Sequence, residues 1–222
     1  MTSFGDSPTV RSGQTGIHRR LSATVRRHLD SAWRQPVHPG SALAFDRFLS
    51  VWNGRTPLVL DAGCGTGEST RRLARLHSEC LVIGVDRSSH RLARARSPLP
   101  DNALLLRARL EDFWRLLAGK GIGLSKHYLL YPNPWPKPGH LGRRWHGHPV
   151  FPLLIGLSRR LELRSNWRLY LEEFRAAAAI CGTTAPPVVS FSGRQVLTPF
   201  ERKYAASGHA LFRLILNPEK TT

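Results

Sequence analysis

Carboxylates are scarce in this 222-residue chain: fifteen Asp and Glu stand against 33 Lys and Arg, for a formal net charge of +18. Such a surface suits a polyanion, because each phosphate it neutralises releases counterions. Lysine is also sparse, five of the 33 cations, and that arginine weighting reads equally as the codon usage of a GC-rich genome. Cysteine is limited to Cys64, Cys80 and Cys181, spaced too widely for a zinc knuckle or a disulfide framework, which points to a reducing compartment. No apolar run approaches the roughly 20 residues needed to cross a bilayer. No basic amphipathic helix with a large apolar face offers itself to an anionic membrane surface. The polar start lacks a signal-peptide pattern, so a cytoplasmic protein is expected. With 41% hydrophobic residues, the chain can bury the core of one domain.

Residues 1–40 read as a basic N-terminal arm and residues 41–222 as the folded domain. The arm begins with Ser, Thr, Gly and Pro, then carries Arg19, Arg20, Arg26, Arg27 and Arg34 in a weakly helical stretch. A solvated tail, a functional arm and an Arg-rich transit peptide all fit that composition. From Leu58 onward the pattern is regular. LVLDAG, CLVIGVD, ALLLRARL, KHYLLY and LELRS read as strands. Helices are expected over Glu68 to His77, from Ser88 or Ser89 to Arg96, over EDFWRLLAG, over Val150 to Arg160 and over NWRLYLEEFRAAAAI. VVSFS and HALFRLIL should close the chain as an antiparallel pair around a short helix near Pro199 to Ala206. Alternating apolar runs and helices predict an α/β fold: a seven-stranded, mostly parallel Rossmann-like sheet with helices on both faces.

Two segments carry chemistry. The first is Asp61-Ala-Gly-Cys-Gly-Thr-Gly67, between a strand and a helix, where Gly63, Gly65 and Gly67 permit a tight turn and close backbone approach to a ligand. Asp86 ends the next strand, where a carboxylate can take both hydroxyls of a ribose. The spacing is G-x-G-x-G rather than the dinucleotide fingerprint G-x-G-x-x-G. It resembles the first motif of Rossmann-like S-adenosylmethionine (SAM) methyltransferases; a nicotinamide site and a merely tight turn are the alternatives. The second segment, Tyr131-Pro-Asn-Pro-Trp-Pro-Lys-Pro-Gly-His-Leu-Gly-Arg-Arg144, follows a buried strand at the sheet edge where α/β folds bind ligands. Its prolines stiffen it, Trp135 offers a stacking face, and Lys137, His140, Arg143 and Arg144 supply cations for a flat, anionic, base-bearing substrate. Trp135 could equally plug the sheet edge. His140, His146 and His148 have no carboxylate or cysteine among them, so no metal is expected.

Together the two segments resemble the tRNA (guanine-N7) methyltransferase family, whose loop after the fourth strand reads P-D-P-W-x-K-x-x-H-x-x-R-R. Pro132, Pro134, Trp135, Lys137, His140, Arg143 and Arg144 match it without gaps. Ser165-Asn166-Trp167 stands where the family has T-D-W, and Thr198-Pro-Phe-Glu201, followed by Arg202, Lys203 and Gly208, where it has T-x-F-E and a basic stretch. The resemblance implies SAM as cofactor, held by Asp61, Gly63, Gly65, Gly67, Asp86, Asp112 and Asn133, and tRNA or another structured RNA as partner. It implies Asn133, His140, Arg143, Asn166 and Glu201 as catalytic, and Trp135, Lys137, His140, Arg143, Asn166, Thr198 and Glu201 as substrate-binding. Guanine N7 carries a free lone pair, so no general base is needed. An arginine fork on O6 and N7 would block the reacting atom. The base is therefore expected to be gripped on its Watson–Crick edge, with Glu201 as acceptor and Thr198 in support.

The departures from the family pattern concern acids. Asn133 and Asn166 replace two Asp, and Arg109 stands where an acid near the cofactor adenine is usual, with Glu111 or Asp112 as substitutes. An Asn can accept only one of the two hydrogen bonds guanine offers, and an unpaired buried donor costs about 1–3 kcal/mol. Altered base choice or weakened catalysis follows as an expectation. The rival readings are a SAM-dependent enzyme acting on another RNA base, a small molecule or a protein, and a non-catalytic RNA-binding homologue.

Overall fold

The computed structural model describes residues 7–31, 33–95, 98–192 and 196–218. Seven strands form one sheet: β1 (Leu58–Ala62), β2 (Leu81–Asp86), β3 (Ala103–Arg107), β4 (Lys126–Leu130), β5 (Leu161–Ser165), β6 (Val189–Ser190) and β7 (Phe212–Leu216), in the order β3-β2-β1-β4-β5-β7-β6. The pairs β1–β2, β1–β4, β2–β3 and β4–β5 are parallel, and β7 runs antiparallel to both β5 and β6. The central strands β1 and β2 are short, mainly apolar runs because both of their faces are covered. Every residue of β1, β2 and β5 is buried. The closing pair, with α8 (Pro199–Ala206) before its last strand, follows the sequence expectation.

One face of the sheet packs against the larger core, which gathers Phe45 and Phe48 from α2 (Pro39–Val51), Phe113, Trp114 and Leu117 from α5 (Leu110–Gly119), Phe151 from α6 (Phe151–Gly156) and Phe174 from α7 (Arg168–Ile180). The opposite face sets Val59, Val82, Tyr128 and Leu130 against Leu73 and Ala74 of α3 (Glu68–Leu76). Alternate residues of each strand thus serve alternate cores.

Three local expectations are corrected. The helix expected from Ser88 shrinks to α4 (Ser89–Leu92), capped by the Ser88 hydroxyl, and Arg96 lies outside the described residues. The helix expected to reach Arg160 stops at Gly156, because residues from 158 turn into the parallel ladder beside β4. The described part of the arm is docked on the domain. Within it α1 (Leu21–Leu29) buries Leu21 and Val25, one turn apart on one face, against α6 and α7. A nine-residue helix is marginal alone. Two aliphatic side chains contributing about 1.5–3 kcal/mol each offset that deficit.

Candidate active site

The turn from β1 into α3 is held against β2: the N–H groups of Gly63 and Cys64 both donate to the Val85 carbonyl, at 2.8 and 3.1 Å. Gly63 and Gly65 have φ of +81° and +60°, and a Cβ on either would meet no atom within 4 Å. Their bare backbone therefore borders open space, as a closely approaching ligand requires. Gly67, expected to join them, serves packing instead. A Cβ there would lie 2.7 Å from Leu105 Cδ1. Asp61 is likewise turned inward. Its Oδ2 accepts from Ser69 Oγ at 2.6 Å and Thr70 Oγ1 at 2.7 Å, and burial lifts its pKa to about 6. It fastens the first turn of α3.

Asp86 ends β2 with its carboxylate organised by three donors. Gly65 N–H reaches Oδ2 at 2.9 Å, Ser88 N–H reaches Oδ1 at 2.8 Å, and the half-exposed Arg91 guanidinium reaches Oδ1 at 3.0 Å. A ribose would displace only Arg91, the one partner supplied by a mobile side chain. Beyond Asp86 opens a cavity of about 890 Å³ between the N-terminus of α2 and the carboxyl ends of β2 and β3. Asp112 does not line it. Its Oδ2 accepts the His38 N–H at 3.2 Å and its Oδ1 lies 3.9 Å from Arg115. Glu111, one residue earlier on α5, faces the cavity instead.

Further along the same sheet edge, the loop after β4 folds around Trp135. Asn133 is exposed, and its Oδ1 accepts the Trp135 N–H at 3.3 Å, so it shapes the turn that carries the indole at φ +45°. The Arg143 guanidinium lies 4.8 Å from the Trp135 ring centroid, and His140 meets the ring edge-on at 5.5 Å. Residual burial, then Arg143, Lys137 and Arg144, hold the His140 imidazole below its ordinary pKa, so it is neutral at pH 7. Lys137 is exposed beside them. Arg144 is fully buried and pins the loop from below. Its Nε donates to the Trp135 carbonyl and its Nη1 pairs with Glu173 on α7.

Asn166 follows β5 and uses its amide NH2 on His209 Nδ1, at 3.1 Å. His209 Nε2 faces the Ser7 carbonyl at 2.7 Å, so that nitrogen carries the proton and Nδ1 accepts. Thr198 caps α8, its Oγ1 accepting the Glu201 N–H at 3.0 Å. Glu201 is fully buried, with Oε1 on Arg164 at 2.8 Å and Oε2 accepting the Leu197 N–H at 3.0 Å. Arg164 also pairs with Glu162 at 2.7 Å, so the two carboxylates enclose one guanidinium inside the sheet. In this arrangement Glu201 fixes the start of α8 to β5. Because β1, β2, β4 and β5 are parallel, Gly63, Gly65, Asp86, the Trp135 loop and Asn166 all stand at one edge.

Residues 59–120 match the model of a family described as a methyltransferase domain. The tRNA (guanine-N(7)-)-methyltransferase of Alkalilimnicola ehrlichii is 29% identical over 216 residues, spanning 88% of this chain and 87% of the relative. That of Geobacillus kaustophilus is 25% identical, over 82% of this chain and 89% of the relative. Over most of its length the chain is similar to these tRNA (guanine-N7) methyltransferases. A solved 16S rRNA (adenine(1408)-N(1))-methyltransferase from Catenulisporales acidiphilia superposes with a TM-score of 0.56 at 18% identity, over 80% of this chain and 92% of that one. The 16S rRNA methyltransferase KamB does so at 0.56 and 18%, over 83% and 96%. Those two likenesses carry the fold.

Residues that the sequence motifs do not mark organise the site. Glu173 is fully buried and takes Gln14 Nε2, the His18 N–H, Arg144 and His146, which joins the N-terminal arm, the Trp135 loop and α7 at one carboxylate. Burial would raise its pKa, but His146, Arg144 and the His18 N–H outweigh that and hold it at about 2. Ser12 Oγ adds a 2.6 Å bond to the Pro136 carbonyl. The available signal was position: Glu173 sits three residues after Tyr170 and four before Ala177, on the apolar face of α7. Arg87 and Arg107 also line the cavity, and only a contact across strands brings them together.

Proposed function

We propose that the chain is a SAM-dependent methyltransferase that modifies the N7 of a guanine in tRNA. The observation that carries this reading is one sheet edge holding both halves of such a site: the open Gly63–Gly65 backbone with Asp86 for a nucleoside, and the Trp135–Arg143 stack for a base. The likeness to the tRNA (guanine-N(7)-)-methyltransferases supports the substrate and the atom. When bound, SAM supplies a methyl group on a sulfonium, whose C–S electron pair leaves with sulfur as the N7 lone pair forms the new C–N bond. Guanine loses no proton, so catalysis rests on positioning and electrostatics.

Asp86 would hold the ribose hydroxyls and the Gly63 and Gly65 backbone the amino-acid end. Trp135 would stack on the base, with Arg143 closing its other face. Lys137 would hold phosphate, and neutral His140 would orient Trp135. Asn166 keeps its Oδ1 for a base donor because its NH2 is committed to His209. Asn133 sets the turn from which the indole projects. Thr198 and Glu201 would act as positioning residues for α8. A cytoplasmic setting follows from the tRNA substrate.

A second reading, another RNA base, is favoured by Asn133 and Asn166, which offer one acceptor each where family acids offer two. The test is transfer of labelled methyl from SAM to deproteinised bulk tRNA, with Asp86→Ala as control. Label that RNase releases, and that the control loses by 100-fold or more, is expected. Label that RNase leaves in place, or no label, would overturn an RNA substrate.

A further inference from the structure

The cavity beyond Asp86 has a composition that a nucleoside does not explain. Arg87 follows β2, Arg107 ends β3, Arg109 immediately precedes α5 and Arg91 lies on α4; all four line it, with His38 just before α2. The acids against them are Glu111, and Asp86 already paired to Arg91. Among the described residues, Arg87, Arg107 and Arg109 have no carboxylate partner, and all three are exposed. The N-termini of α2 (thirteen residues) and α5 (ten residues) also open toward this space, adding their partial positive charge.

SAM carries a sulfonium, an ammonium and a carboxylate, hence a net positive charge. Four guanidiniums around its adenosyl end repel it, and adenine offers them no anion. Clustering cations in this way costs self-repulsion unless an anion is present. The chain's overall +18 says that the anion it meets is a polyelectrolyte.

We propose that this cavity mouth is a second RNA-binding subsite, in which Arg87 and Arg107 grip backbone phosphates of the substrate RNA beside the cofactor cleft. The site lies over β2 and β3, on the far side of β1 from the Trp135 loop over β4, so it takes phosphates remote from the target base. It also couples the two ligands: phosphates seated there neutralise the arginines that repel SAM, so RNA and SAM each tighten the other's binding. The inference rests on the RNA-methyltransferase reading.

The test measures binding of a full-length tRNA transcript to the intact protein across a salt series, for wild type and for Arg87→Gln/Arg107→Gln. Both positions are exposed and unpaired, so an unchanged melting temperature is expected. The plot of log affinity against log salt should lose about two units of slope, about one per phosphate contact removed. RNA affinity at about 0.1 M salt should fall at least tenfold, while SAM alone binds as tightly as before or tighter. An unchanged slope in a wild type that binds RNA would overturn the subsite and leave the methyltransferase reading standing. A wild type that binds no RNA would overturn both. Tight binding of adenosine 3′,5′-bisphosphate with an unchanged RNA slope would assign the cavity to a phosphorylated nucleoside and overturn the proposal. Loss of SAM affinity in the variant would make these arginines cofactor residues, with the same result.

Discussion

His127 is a fully buried imidazole on β4 with neither ring nitrogen hydrogen-bonded among the described residues, packed edge-on at 5.6 Å against the indole of Trp114. Burial pushes its pKa down to about 3, from an ordinary value near 6.5. Between those values the unfolded chain binds the extra proton and the folded chain does not, so stability falls as pH drops from 6.5 toward 3. At about 1.4 kcal/mol per pKa unit the loss is roughly 4–5 kcal/mol. His127→Leu should flatten that acid limb of the stability curve, read by denaturant midpoints at pH 7, 5 and 4; an unchanged limb would mean the imidazole is solvated. Asn166 poses a different residue-scale question. Its NH2 feeds a His209 ring whose other nitrogen serves the Ser7 carbonyl, so an Asp there would demand a second proton on the imidazole. The departure from the family acid is therefore accommodated by its neighbours, a coupling that spans 43 positions and leaves no local mark on the sequence.

At the scale of elements, Glu173 decides whether the N-terminal segment belongs to the domain. Its stabilising effect is complete above about pH 4.5 and disappears as pH falls through about 2, because its folded pKa is depressed. Glu173→Gln keeps the shape but leaves the buried Arg144 charge uncompensated, which should cost about 3–5 kcal/mol. The His18 amide should lose hydrogen-exchange protection with it, whereas amides of β1 and β2 should exchange with global unfolding alone. Retained protection at His18 would show that Leu21 and Val25 hold the arm without the carboxylate. The strands, α3, α5, α7 and α8 were legible in the sequence because each pairs a regular apolar period with a Gly, Thr or Ser boundary. The arm was not. Gln14, His18 and Arg144 find Glu173 only in three dimensions, and Arg-rich segments read alike whether solvated or docked. The partner of Glu201 was hidden for a similar reason: nothing near a motif carboxylate in the sequence shows that Arg164, 37 residues away, holds it.

For the whole molecule, the parallel sheet brings separate sequence motifs to one edge, and their placement was legible: Gly63, Gly65 and Asp86 after β1 and β2, Trp135 and Arg143 after β4. The motifs did not reveal that Asp61, Gly67, Asp112 and Glu201 face inward, since spacing fixes where a residue sits in the chain and packing fixes where its side chain points. The central claim is that this edge methylates guanine N7 despite carrying Asn133 and Asn166. The measurement that tests it most directly is nucleoside analysis of bulk tRNA after incubation with labelled SAM, for wild type and for Asn133→Asp/Asn166→Asp. The account predicts label in 7-methylguanosine for both proteins, with the variant within about tenfold of wild type. Label from wild type in any other nucleoside, with 7-methylguanosine only in the variant, would contradict it and show that the two asparagines changed the base this enzyme reads.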